Sequence, residues 1–134
     1  MDVLRNMVEA AKPGGLVFDL QVIRPNPVVK ADGRVLCEID GEPLFRGADA
    51  AMAAIDTLVA DGSLVEQAVD DHDVLKHYTS GADLIADFAG KQRRLPEHAL
   101  PSLRSLRQPC AVRECCRLRR LEIPRTGGQT AQLS

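Results

Sequence analysis

The sequence predicts an α/β chain, or α+β if it stands alone, in which a buried strand is followed by an antiparallel strand pair with flanking helices. Three observations carry this. Residues 16–23 form a nearly continuous apolar run, too short for a typical helix and rich in Val, Ile and Phe, which predicts a strand covered on both faces. Residues 48–60 place Ala51, Met52, Ile55, Leu58 and Val59 at helical spacing. Residues 110–121 alternate, with Val112, Cys116 and Leu118 on one side and Arg113, Cys115, Arg117 and Arg119 on the other, as in a strand with one wet face.

Taken in order, Asp2 caps a first helix over 2–11, with Val3, Met7 and Ala10 in one stripe beside Leu4, Val8 and Ala11. A Pro13-Gly14-Gly15 turn ends it and opens the apolar strand. That strand is expected to stop near Ile23, because Pro25 and Pro27 remove backbone donors. Asp32-Gly33 and Asp40-Gly41 are turn dipeptides, and 34–39 is expected to pair with 42–45 as a hairpin whose Pro43 demands an edge position. The helix over 48–60 closes at Asp61-Gly62. Residues 63–78 read as a long strand interrupted at the polar Asp70-Asp71-His72-Asp73. Ser80 with Asp83 starts another helix that Gly90 stops, and 97–107 makes a short one that tolerates Pro101 only in its first turn. A single domain or half-domain over 1–122 is expected, with a disordered tail over 123–134.

Only four residues are aromatic, so the core must be aliphatic. Residues 1–90 hold 7 Lys/Arg against 16 Asp/Glu, about −9, and residues 91–134 hold 10 against 3, about +7. Opposite blocks attract, so an acidic segment packed beside the basic strand is favoured over a nucleic-acid-binding tail, which also lacks interleaved aromatics for base stacking. The four cysteines lack zinc-ligand spacing and read as free thiols. With no signal segment and no long apolar run, the chain reads as cytoplasmic with no membrane association.

The Lys12-Pro13-Gly14-Gly15 turn between a helix and a buried strand resembles the entry to the fifth strand of class I S-adenosylmethionine-dependent methyltransferases, which are Rossmann-like. The element order over about residues 1–121 resembles the C-terminal half of that fold, where the last two strands pair antiparallel and the final one inserts between the fifth and sixth. The resemblance implies a methyltransferase-like polypeptide that contributes the C-terminal sheet and part of a substrate cleft and is inactive alone. The family's Gly-rich cofactor loop is missing: no glycine here follows a strand and opens a helix in a Gly-x-Gly pattern. No cofactor is therefore expected for the isolated chain, and S-adenosylmethionine only if an N-terminal half completes it. The alternative is a non-enzymatic α+β binding or oligomerisation module.

No catalytic residue can be named from the sequence. Ligands in open α/β sheets sit outside the carboxyl ends of strands, so the resemblance makes Asp19, Gln21 and Arg24 the substrate-cleft candidates. The run Asp70, Asp71, His72 and Asp73 with His77 matches no defined metal site and reads as a solvated acidic loop. A sheet edge left bare by missing strands invites a protein partner or self-association.

Overall fold

The computed structural model describes residues 12–91 and 93–125. The expected first helix over 2–11 and the tail from residue 126 lie outside these. The described elements are β1 (Leu16–Ala31), β2 (Arg34–Glu38), α1 (Glu42–Ala60), β3 (Val65–Tyr78), α2 (Gly81–Phe88), a 3-10 turn (Glu97–Ala99), α3 (Leu100–Ser105) and β4 (Cys110–Glu122). They make an α+β chain with a four-stranded antiparallel sheet in the order β2-β1-β4-β3. The last strand therefore lies between β1 and β3. Those two run in the same direction, and α1 is part of the connection between them, a split β-α-β arrangement.

Several expectations are corrected. β1 does not stop near Ile23 but runs through both prolines to Ala31. Its partner β2 pairs only with Val28 to Ala31, so Pro25 stands where no neighbour on that side needs its missing N–H, while the Pro27 carbonyl accepts from Ile39 N–H at 2.8 Å. The strand is not covered on both faces either: Leu16, Phe18 and Leu20 are 44%, 60% and 57% exposed. The hairpin over 34–39 and 42–45 does not form. The hairpin joins β1 to β2 instead, because Asp32 and Gly33 both take the positive φ (51° and 72°) that a tight two-residue turn requires. Glu42 to Phe45 are the first turn of α1. Pro43 fits there because first-turn N–H groups have no intrahelical partner, and Asp40 Oδ1 accepts from Glu42 N at 3.1 Å.

β3 is not interrupted at 70–73. It is an edge strand, so polar side chains on either face can reach water. In β4 the simple alternation fails. Cys110, Val112 and Cys116 are buried, but so are Arg119 and Leu121, so the buried parity changes along the strand.

The chain divides into two compact units, one of residues 12–21, 49–70 and 117–125, the other of 22–48 and 71–116. In the first, Ile55 and Leu58 of α1 pack with Leu64, Leu121 and Ile123, with Val17 beside them. Ile123, placed in the tail by sequence, exchanges backbone bonds of 2.7 and 2.9 Å with Gly14 and Gly15 and is buried. In the second, Val29, Ile39, Leu84, Phe88, Leu103 and Val112 form the centre of a larger cluster. The expected start of α2 and stop of α1 hold locally. Ser80 caps α2 by accepting from Asp83 N at 3.2 Å, and Gly62 at φ 84° follows the end of α1.

Gly47 lies exposed within α1, and a Cβ there would meet nothing within 4 Å. Gly47→Ala is expected to stabilise the fold by about 0.5–1 kcal/mol, by lowering the entropy of the unfolded chain, read as a higher urea midpoint at unchanged slope.

Candidate functional site

Of the three residues singled out by sequence, Asp19 and Gln21 lie together. They are two apart on β1 and so point to one side, and Gln21 Nε2 donates to Asp19 Oδ1 at 2.7 Å. The other carboxylate oxygen, Asp19 Oδ2, is buried and has no hydrogen-bond partner among the described residues. An unmet buried acceptor costs about 1–3 kcal/mol, which makes it a position where a ligand donor would be favoured. Arg24 belongs to the other unit. Its Nε and Nη2 donate to the two Glu42 oxygens, each at 3.1 Å, and its guanidinium lies 4.9 Å from the Phe45 ring centroid. Arg24 thus holds the first turn of α1 to β1. Both side chains are about half exposed, so the pair contributes below about 1 kcal/mol.

The most distinctive feature around Asp19 is the strand that carries it. β2 is five residues long and covers only the far end of β1, so Leu16 to Gln21 have no strand on that side among the described residues. Alternation puts Leu16, Phe18 and Leu20 together on one exposed face, while Val17 packs into the core. An unpaired backbone edge beside three exposed apolar side chains is a template for another strand.

In the same unit, α1, β3 and β4 enclose a surface cleft of about 390 Å³. Asp56 of α1 and Glu66 of β3 converge there on Arg119 of β4, whose side chain is only 8% exposed. Arg119 Nε donates to Glu66 Oε2 at 2.7 Å and Nη2 approaches Asp56 Oδ1 at 2.9 Å. The expectation that carboxylates of this chain meet the arginines of the last strand holds for Arg119, through Glu66. The sequence reading put Arg119 in a wet row, and it did not foresee the Asp56 contact from the helix.

A second polar cluster, in the larger unit, was missed by sequence. Asp87 of α2 accepts from Tyr78 Oη at 2.5 Å, Lys76 Nζ at 3.0 Å and Lys91 Nζ at 3.0 Å. Only the Asp87–Lys91 spacing of four, which runs past the end of α2, could have signalled it. The Tyr78 hydrogen bond, then the two lysines, hold the Asp87 carboxyl well below the usual range. Burial, then the bond to Asp87, pushes the Tyr78 phenol up to about 12. Because the folded value lies above the unfolded value of about 10, this contribution to stability is present below pH ~10 and is lost as pH rises towards the folded value. The chain has one Tyr and no Trp, so ultraviolet titration reads Tyr78 alone. The expected midpoint is about 12 in the folded chain, falling part of the way back in Asp87→Asn. A midpoint near 10 in the folded wild type would mean that the phenol is not held in this way.

Arg93 and Glu114 form a further ion pair, both largely buried. All four cysteines are free, and burial raises each thiol above its ordinary value. Cys115 also donates to Asp73 Oδ1 at 3.3 Å. Raised thiols are poor nucleophiles at neutral pH. Among the described residues no group of His, Cys, Asp and Glu could hold a metal ion, and no helix is long and apolar enough to cross a membrane. Four of the described glycines take positive φ, namely Gly14, Gly33, Gly62 and Gly90. None of them both follows a strand and opens a helix. Comparison with protein-family models, with curated proteins and with solved structures finds no significant match for this chain.

Proposed function

We propose that the chain is the C-terminal half of a class I methyltransferase-like, Rossmann-like sheet, supplying strands and one wall of a substrate cleft, with the cofactor loop supplied by a preceding segment or a separate polypeptide. The observation that carries this reading is the edge of β1 from Leu16 to Gln21, which no strand among the described residues covers, with Leu16, Phe18 and Leu20 exposed beside it. In the methyltransferase order the next strand of the sheet pairs at this edge. The position of β4 between β1 and β3 supports the same reading, since the family's final strand is inserted in that way. Asp19, with its unmet Oδ2, is then the polar group of this half best placed to accept a hydrogen bond from a substrate donor.

The same edge favours a second reading, a non-enzymatic α+β module that self-associates by pairing β1 with β1 of another copy. Light scattering separates the two, because the first reading expects a monomer or loose aggregate and the second a defined dimer. The direct test is co-expression with the product of the adjoining upstream reading frame. Co-purification, and micromolar S-adenosylmethionine binding by the complex but not by this chain, is the expected calorimetric result. Stoichiometric micromolar binding by this chain alone would overturn it. Phe18→Lys is expected to change stability by less than about 0.5 kcal/mol, because the ring is 60% exposed, and to abolish co-purification.

A further inference from the structure

In the larger unit, α2, the turn after it and the start of α3 surround a surface cleft of about 470 Å³, within the usual range for small-molecule sites. Its floor is apolar. Phe88 and Leu95 are 6% and 9% exposed, and half-buried Ile85 and Leu100 pack on the same cluster. Its rim carries two cations, Lys91 and Arg94. Lys91 Nζ stands 5.4 Å from the Phe88 ring centroid, and the guanidinium of neighbouring Arg93 stands 5.5 Å from it. Arg93 is neutralised by Glu114, and Lys91 shares Asp87 with Lys76 and Tyr78. Arg94 is exposed and makes no ion pair among the described residues, although it lines the cleft. The one acid on the rim is Glu97.

We propose that this cleft binds a small amphipathic anion, its carboxylate or phosphate head held by Arg94 and Lys91 and its apolar body laid on Phe88, Leu95, Ile85 and Leu100. Each part of the ligand has its reason in the site. A guanidinium offers paired N–H donors to a carboxylate or phosphate, and an ammonium beside it adds a second charge. The floor rewards an apolar body by the surface it takes out of water. Glu97 on the rim opposes a second negative charge, which favours a ligand with one anionic end. Among the described residues the cleft is lined from 85–91 and 94–100, and it stands whether or not β1 accepts a partner strand.

The probes are decanoate and decyl phosphate below their aggregation concentrations, with decyltrimethylammonium as the cationic control, titrated by calorimetry and by amide nitrogen-proton shifts. One-to-one saturable binding is expected, with Kd on the order of 10–100 µM for the better head group. Whichever of the two binds more tightly identifies the head as carboxylate or phosphate. Amides of Gly90, Arg94 and Leu95 should shift. Hexanoate should bind at least about ten-fold more weakly than decanoate. Arg94→Glu, at an exposed position that should not disturb folding, should weaken the anions about ten-fold or more, and Arg94→Lys should fall between wild type and Arg94→Glu, because it keeps the charge but loses the paired donors. Equal binding of the cationic control, wild-type affinity in Arg94→Glu, shifts that miss the cleft, or no saturable binding up to millimolar concentration would each overturn the proposal.

Discussion

Replacing Gly81 with alanine is expected to destabilise the larger unit by about 3 kcal/mol, with a fall in Tm of roughly 10 °C, although only one methyl group is added. An added Cβ would stand 1.8 Å from the Leu103 carbonyl oxygen, 2.7 Å from its carbon and 3.0 Å from Leu106 Cβ. The first two are backbone atoms, so no side-chain rotation relieves them. The reason for the close approach is local. Gly81 N donates to Leu106 O at 2.9 Å, which docks the first turn of α2 onto the end of α3. Separating the two strains that bond and the Ser80 cap, and it opens the packing of Leu84 and Leu103, which are 0% and 1% exposed. Gly47→Ala makes the matched control, because the same methyl group in open space should act in the opposite direction. Urea unfolding of both variants decides the matter. A Gly81→Ala variant within about 1 kcal/mol of wild type would mean that the α2–α3 contact is not this tight.

What the sequence revealed and what it concealed follow from which interactions are local. The ends of α1 and α2 were legible because Asp61-Gly62 and Ser80-x-x-Asp83 act on their own turns. The start of α1 was misread because Pro43 excludes a central strand position as firmly as it suits a helix first turn, and only the Asp40 contact to Glu42 N favours the helix. The continuation of β1 through Pro25 and Pro27 depends on β2 pairing only from Val28 onward, a tertiary fact with no local signature. The apolar run over 16–23 carried a correct strand and an incorrect environment. Composition gives the period of a strand, but not whether a neighbour covers its second face. The substrate-cleft candidates divided for the same reason. Asp19 and Gln21 are two apart on one strand and had to share a side, whereas the engagement of Arg24 by Glu42, eighteen residues on, needed the fold. The Tyr78–Asp87–Lys91 cluster was half legible through the spacing of four between Asp87 and Lys91 and otherwise depended on how β3 meets α2.

Removing the buried cation of the smaller unit is the other change expected to have a large effect. Arg119→Met keeps most of the apolar stem and deletes the guanidinium, which is 8% exposed and lies between Glu66 and Asp56. Glu66, at 34% exposure, would then stand partly desolvated without its cation and close to a second carboxylate. Breaking a buried pair from one side typically costs 3–5 kcal/mol. The solvent access of both acids lowers the figure here to about 2 kcal/mol. Asp56 is 67% exposed, so its share is screened by salt, while the Glu66 share is screened less. Raising the salt concentration should therefore narrow the gap between wild type and Arg119→Met without closing it. Adding Glu66→Gln to Arg119→Met should restore part of the loss, because the stranded charge is gone. Arg119→Glu together with Arg117→Glu should be worse than Arg119→Met, most of all at low salt, since it adds acids to a cleft already lined by Asp49, Asp56 and Glu66. Thermal unfolding of the four proteins at low and high salt tests the set. If Arg119→Met proved as stable as wild type at both, the guanidinium would contribute nothing to this unit, and the opposite charge blocks of the chain would owe their arrangement to something other than this contact.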